Sequence, residues 1–326
     1  MKSVITCLPL KERHKQMLEQ VSTECVFCHL GTQRPTKEQL SEANVVIGNL
    51  PPALLADAPK LELLQLNSAG TDGYTVPGLL PEGAKLANAS GAYGLAISEH
   101  MVGCVLALMK KLPLYLENQK QHQWKDEGPV RSVYGSRTLV VGMGDIGSEF
   151  ARRMNAMGSE VIGVRRHAGD KPDYVAEVCT MDRLDEELEK ADIIACSLPG
   201  TPSTCHLFDE ERIRKMKRGA ILVNVGRGTL IDPEVLAWAL TEGYLGGACV
   251  DVTEPEPLPA DSVLWNAPNL ILTPHVSGGY HLEITLDRIV EIAARNLKAV
   301  CEGGEIVNEV DCSSGYRKLE NRHRNS

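Results

Sequence analysis

No apolar run in these 326 residues is long enough to span a bilayer, which argues against a transmembrane helix. The opening MKSVITCLPLKERHKQ lacks the layout of a secretory signal, so the chain is expected to stay in the cytoplasm. Excess positive charge is missing as well. A formal net charge of -9 argues against nucleic acid or an anionic membrane as the main partner. No internal repeat is present, and no metal is expected. The ten cysteines of a cytoplasmic chain read as reduced thiols, not as a disulfide scaffold. Cys25-Val26-Phe27-Cys28-His29 matches the haem-attachment pattern C-x-x-C-H, but it lies in an alternating, strand-like segment without the export that haem attachment requires. Cys104, Cys196 and Cys249 stand in apolar runs and read as small core residues. The basic cluster Arg317, Lys318, Arg322, His323 and Arg324 reads as a solvated tail.

What remains is a globular composition, 43% hydrophobic and 24% charged, on a chain long enough for two domains. Residues 1–98 alternate short strands with helices. The strands are Val4–Leu8, Cys25–Leu30, Val45–Gly48, Leu63–Leu66 and Leu86–Asn88. Between them run a helix over Lys11–Val21 with Met17, Leu18 and Val21 on one face, a helix capped by Thr36 and a helical piece over Ala53–Ala58. Such alternation predicts a mostly parallel sheet covered on both faces. A helix over Ile97–Leu116 is expected to bridge to a second unit, followed by an extended polar arm over Glu117–Arg131. The second unit, residues 99–281, repeats the alternation, and a long helix over Leu282–Val300 carries the chain back so that 282–326 completes the first. The fold class is therefore α/β, with two doubly wound parallel-sheet domains.

The second unit opens on TLVVGMGDIGSEFARRMNAMGSEVIGVRR. Between the strand Thr138–Val141 and a helix carrying Phe150, Ala151 and Met154 stands the G-x-G-x-x-G of Gly142, Gly144 and Gly147. Gly142 permits the tight turn, Gly144 lets backbone approach a pyrophosphate, and Gly147 lets the helix pack closely on the strand. The amides that open the helix present its positive end to the phosphates. At the end of the next strand, NAD-binding units place an Asp or Glu on the ribose hydroxyls. Here Arg165 and Arg166 stand, and no carboxylate follows until Asp170. Two guanidiniums suit a 2′-phosphate, so NADP is the expected cofactor, with NAD possible.

Ligands of such sheets bind beyond the carboxyl ends of the strands. Arg227, Glu256 and His275 each lie just past such an end. The guanidinium of Arg227, free to be aimed between two glycines, matches a carboxylate bidentately. A histidine is the natural proton donor for a ketone/carbinol couple, and a neighbouring carboxylate favours its protonated form. In the first unit the glycine-rich Asn67–Gly73 loop offers amides to a small anion.

GMGDIG, CSLPGTPST, NVGRGTLID, ACVDVTEPEPLP and LTPHVSGG together resemble the D-isomer-specific 2-hydroxyacid dehydrogenase family over nearly the whole chain. The resemblance implies a flavodoxin-like substrate domain and a Rossmann domain, with Arg227 on the substrate carboxylate, His275 as acid/base and Glu256 as its partner. Ala69, Gly70 and Thr71 carry over as substrate-binding residues. Gly142, Gly144, Asp145, Ile146, Gly147, Arg165, Arg166, Cys196, Leu198, Pro199, Thr204, Val225, Gly226, Asp251, His275 and Gly278 carry over as cofactor contacts. The arginines at 165–166 look like those of NADP-preferring glyoxylate/hydroxypyruvate reductases. Glu256 stands where formate dehydrogenases of the superfamily have Gln, and the long regulatory extension of some phosphoglycerate dehydrogenases is absent. The implied activity is reduction of a small 2-keto acid to its D-2-hydroxy acid by a cytoplasmic homodimer that joins through Ser98–Arg131. The rival reading is a nucleotide-gated scaffold like the C-terminal binding protein corepressors, which share the fold and a similar triad but carry long disordered flanks. Pocket shape is expected to depend on Asn49–Pro52, Tyr93, Trp265 and Tyr280.

Overall fold

The computed structural model describes residues 1–167, 169–280 and 282–312; the basic cluster from Arg317 to Arg324 lies outside them. The chain forms two compact units, Met1–Tyr93 with the segment from Tyr280 onward, and Gly94–Gly279.

The first unit runs β1 (Lys2–Thr6), α1 (Glu12–Glu19), β2 (Cys25–His29), α2 (Lys37–Glu42), β3 (Val45–Ile47), β4 (Leu63–Gln65) and β5 (Lys85–Ala87). All strands are parallel in the order β2-β1-β3-β4-β5. That is the flavodoxin-like doubly wound order. Val45–Ile47 and Leu63–Gln65 are buried throughout because helices cover both faces of the sheet, and Ile5, Val46, Leu64 and Leu86 join Leu40 and Leu55 in one core. Thr36 caps α2 as expected: its Oγ1 accepts from the Gln39 amide while the Gln39 side chain takes the Thr36 amide. On α1 only His14 and Leu18 are buried; Met17 faces water, which corrects the expected face. In β2, Cys25 and Cys28 stand three residues apart, so the strand's period of two sends them to opposite faces. His29 is held by Thr6 and Glu19. The C-x-x-C-H match thus falls on an alternating strand, as expected.

The second unit opens with α3 (Gly94–Met109) and α4 (Leu112–Lys120). One helix was expected here. Pro113 cannot continue it, since proline lacks an N–H and clashes with the carbonyl four residues back, so the chain breaks at Lys111 (φ +56°) and restarts with proline in the first turn. Then follow β6 (Arg137–Val141), α5 (Asp145–Ala156), β7 (Glu160–Arg165), β8 (Glu177–Thr180), α6 (Leu184–Leu188), β9 (Ile193–Cys196), α7 (Glu210–Lys215), β10 (Ala220–Asn224), α8 (Pro233–Thr241), β11 (Leu245–Val250) and β12 (Leu270–Leu272). The seven parallel strands lie in the order β12-β11-β10-β9-β6-β7-β8. Counted from β6 this is the Rossmann order with one strand added, and its switch point lies between β6 and β9.

The chain returns to the first unit as α9 (Glu283–Glu302). Buried Asn296 fixes it there: Nδ2 reaches Gln65 Oε1 at 2.6 Å and the Val307 carbonyl at 2.9 Å, and Oδ1 accepts from the Val307 amide at 2.7 Å. Val310 then donates to Leu86, so the tail adds to the edge beyond β5.

Candidate active site

The turn after β6 is set by two glycines with different tasks. Gly142 has φ +105°, a conformation that L side chains rarely adopt. A Cβ on Gly147 would stand 1.9 Å from the Gly142 carbonyl, so any other residue would push α5 off the strand. Gly144 differs, because a Cβ there would meet nothing within 4 Å. The ladder of α5 begins with Ser148 donating to Gly144, so the amides of the first turn lack intrahelical acceptors and sit beside that open space. An open space beside a helix N-terminus fits a pyrophosphate. The Asp145 carboxylate accepts from the Gly94 amide at 2.8 Å, which seats the start of α3. Opening at Gly94, that helix lies wholly in the second unit, and the division falls at 93/94 where 98/99 was expected.

Arg165 closes β7, and its Nη1 donates to the Asp170 carbonyl at 3.0 Å. Its Nε is buried and finds no partner among the described residues. A buried guanidinium N–H without an acceptor is unfavourable, and a phosphate oxygen would relieve it. Arg166 is exposed and donates to the His167 ring at 2.9 Å. The Gly144 space beside the helix N-terminus suits the phosphates of a dinucleotide.

Several expected cofactor contacts have other tasks visible. Cys196 is fully buried in the core, its thiol pushed up by burial and its carbonyl taken by the Val225 amide. Thr204 turns its hydroxyl to the Pro199 carbonyl at 2.8 Å and accepts from the Thr201 amide at 2.9 Å, which shapes the loop after β9. The backbones of Leu198 and Gly226 are packed together, since a Cβ on Gly226 would lie 2.5 Å from the Leu198 carbonyl.

That packing corrects one reading. The glycines flanking Arg227 do not loosen the backbone, and neither has a positive φ. They permit close approach. A Cβ on Gly228 would lie 2.0 Å from both C and O of Thr253, so the Arg227 turn is pressed onto the loop that carries Glu256. Asn224, buried at the end of β10, accepts from the Gly226 amide at 3.0 Å and donates to the Arg227 carbonyl at 2.9 Å. A buried Asn at a strand end, one turn before an Arg, was a signal that the sequence reading passed over.

Glu256 and His275 meet, with Oε2 2.8 Å from Nδ1. The other oxygen, Oε1, accepts from the Thr253 amide at 3.0 Å. An ionised carboxylate only accepts, so Nδ1 must carry the shared proton, and Nε2 is left as the outward nitrogen. His275 itself has φ +52°, a left-handed conformation that costs about 1 kcal/mol for a residue with a side chain. Buried Asp251 holds it in place. Its carbonyl accepts from the His275 amide at 2.8 Å, and its carboxylate accepts from the amides of Val276 at 3.0 Å and Ser277 at 3.1 Å and from Thr273 Oγ1 at 2.6 Å. Asp251 thus builds the His275 loop from below. Arg227, Glu256 and His275 belong to three loops beyond β10, β11 and β12, adjacent at one end of one sheet.

In the first unit, the loop after β4 is held by its carbonyls. Tyr93 Oη donates to the Asn67 carbonyl, Asn88 Nδ2 to Ala69 at 2.8 Å and Ser68 Oγ to Gly70 at 2.6 Å. Asn49 and Asn67 bond each other's amides reciprocally, and the Asn67 side chain also reaches Tyr280 Oη. Burial pushes both phenols up, Tyr280 to about 12 despite the Asn67 bond, so each hydroxyl stays protonated. Tyr93 is therefore committed to shaping this loop. Trp265 stands in the second unit, half exposed, with Nε1 on the Pro259 carbonyl.

Residues 102–277 match the family model described as D-isomer specific 2-hydroxyacid dehydrogenase, NAD binding domain. A glyoxylate reductase of Thermofilum pendens is 33% identical over 256 residues, covering 76% of this chain and 74% of that one. The solved structure of a D-isomer specific 2-hydroxyacid dehydrogenase family protein from Aeromonas salmonicida superposes with a TM-score of 0.84 at 34% identity, covering 95% and 99% of the two chains. An NADPH-dependent glyoxylate/hydroxypyruvate reductase from Sinorhizobium meliloti, solved with NADP and sulfate, gives 0.83 at 25% identity, covering 97% and 100%.

Proposed function

The chain belongs to the D-isomer specific 2-hydroxyacid dehydrogenase family, and we propose that it reduces a small 2-keto acid of the glyoxylate, hydroxypyruvate or pyruvate type to the D-2-hydroxy acid with NADPH. The observation that carries the reading is the Glu256–His275 pair, held next to the Arg227 turn by the Gly228–Thr253 contact. When bound, the cofactor supplies the hydride for the keto carbon. His275 delivers the proton from Nε2 to the carbonyl oxygen, because Nδ1–H is committed to Glu256. The fork of Arg227 grips the carboxylate and orients the carbonyl. Ala69, Gly70 and Thr71 serve as further substrate ligands, carried over from the family pattern.

Gly142, Gly144, Ile146 and Gly147 would hold the pyrophosphate. Arg165, whose Nε finds no partner among the described residues, and Arg166 would hold the 2′-phosphate that favours NADPH over NADH. The protein acts as a homodimer through Ser98–Arg131. That stretch exposes Leu112, Leu116 and Val130 and leaves Trp124 wholly in solvent, a set of large apolar side chains that a second subunit would cover.

The test is oxidation of NADPH against NADH over a panel of glyoxylate, hydroxypyruvate, pyruvate and bulkier 2-keto acids, with Arg227→Ala beside the wild type. Fast turnover of a small member with NADPH, lost in the variant, is expected. Full activity in Arg227→Ala would remove the assigned role, and no turnover with any member would favour the scaffold reading.

A further inference from the structure

Beneath the catalytic loop lies a cluster that the reaction does not use. Cys104 on α3 and Cys249 on β11 bring their sulfurs to 2.7 Å, and His100 Nε2 stands 3.6 Å from the first and 3.9 Å from the second. Three such donors suggest a metal centre. The distance decides against it, because thiolates bound to one tetrahedral zinc at about 2.3 Å are held about 3.7 Å apart. Sulfurs at 2.7 Å stand instead close to the roughly 2.05 Å of a disulfide.

We propose that Cys104 and Cys249 are a redox pair which a small peroxide oxidises to a disulfide, and that closing this bond lowers turnover by disturbing the catalytic loop. The roles of the two sulfurs follow from their surroundings. The geometry lets Cys249 donate its S–H to Cys104. That bond, together with His100, lowers the Cys104 thiol to about 6 against the opposing effect of burial, while Cys249 is pushed up. His100 stands nearer Cys104 than Cys249, so Cys104 is assigned as the attacking sulfur and Cys249 as the one that resolves it. The Cys104 sulfur attacks one oxygen of hydrogen peroxide. The O–O bond breaks, hydroxide leaves to become water, and the sulfur is oxidised to a sulfenic acid. The Cys249 sulfur then attacks the Cys104 sulfur. The S–O bond breaks, and the thiol proton leaves with the hydroxide as a second water. Two thiols and one peroxide have become one disulfide and two waters.

The path to the loop is short. Thr273 Oγ1 gives its proton to Asp251, so it can only accept from His100 Nε2, 3.4 Å away. Cys249 precedes by two residues the same Asp251 whose oxygens hold the amides of His275, Val276 and Ser277. A disulfide removes the sulfur acceptor of His100 and tightens β11 just before Asp251. This coupling rests on the role proposed for His275, whereas the cross-link does not.

The experiment treats the full-length reduced protein with stoichiometric hydrogen peroxide, maps peptides under non-reducing conditions and follows turnover in parallel. A Cys104–Cys249 cross-link is expected, formed in step with loss of turnover, reversed by dithiothreitol and missing in Cys249→Ala and Cys104→Ala. Cys25 and Cys301, with sulfurs 3.6 Å apart, are the internal control. A cross-link there alone, or oxidation of Cys104 that stops at the sulfinic acid, overturns the proposal without recourse to any variant. Stoichiometric zinc in the untreated protein overturns it too. A Cys104–Cys249 cross-link that leaves turnover unchanged overturns the coupling.

Discussion

A Cβ added to Gly228 would fall 2.0 Å from the carbonyl carbon of Thr253, so the turn that aims Arg227 and the loop that carries Glu256 are built against each other. Gly228→Ala must therefore part the two loops, because the clash is with backbone and no rotamer relieves it. Displacing a positioned group by about 1 Å can cost on the order of 100-fold in rate. We expect kcat/KM of Gly228→Ala to fall by about that factor with circular dichroism unchanged. Steady-state kinetics at wild-type level in a folded variant would show that the contact does not position Arg227.

The pair Glu256–His275 divides chemistry from positioning. His275→Gln removes the proposed proton donor and is expected to lower kcat by roughly 100- to 10,000-fold. Glu256→Gln keeps an acceptor for Nδ1–H but removes the negative charge, so its loss is expected to be smaller. Because neither residue is assigned to the carboxylate, KM for the keto acid should change little in both. Equal kcat values in wild type and His275→Gln would assign the proton to another group.

Much of this was readable in the chain. Strands buried on both faces, such as Val45–Ile47, are continuous apolar runs, and a cap such as Thr36 announces its helix. What escaped had weak local signals. β8, Glu-Val-Cys-Thr, is a short edge strand of mixed polarity, and α7 is six mostly charged residues between loops. The placing of the candidate residues was legible because each follows a strand end. Their fixings were not. Thr253 behind Glu256, Asp251 beneath His275 and Cys104 against Cys249 are contacts between chain segments, and no spacing encodes them. Gly226 and Gly228 were noticed, but for conformational freedom, when their use is absence of volume.

On the proposed reading, cofactor choice turns on Arg165. A charge-assisted bond to phosphate contributes about 1.5–3 kcal/mol, which corresponds to roughly 10- to 100-fold in affinity. Arg165→Ser is expected to raise KM for NADPH by that range and to leave KM for NADH nearly unchanged. If both cofactors weaken equally, the side chain supports the fold of the loop and does not read the 2′-phosphate.

Stability in acid should depend on Glu187, a buried carboxylate on α6 far in sequence from the catalytic loops. Its oxygens accept from Arg137 at 2.7 Å and from Arg183 and Lys190 at 3.1 Å each. Burial alone would raise this carboxyl, but the hydrogen bonds from Arg137 and Lys190 outweigh burial and hold it below its ordinary value of about 4.5. A carboxyl depressed in the folded state binds its proton more readily when unfolded. Its contribution is therefore complete above pH 4.5 and is lost as pH falls through the lower folded value. Breaking a fully buried pair costs about 3–5 kcal/mol, and since all three cations also reach solvent we expect about 2 kcal/mol for Glu187→Gln at pH 7. Urea unfolding of wild type and variant at pH 7, 5 and 3 isolates this one group, because the other carboxylates titrate equally in both proteins. The gap should be constant from pH 7 to 5 and narrow at pH 3. A gap that stays the same at pH 3 would mean that Glu187 acts through packing and not through its charge.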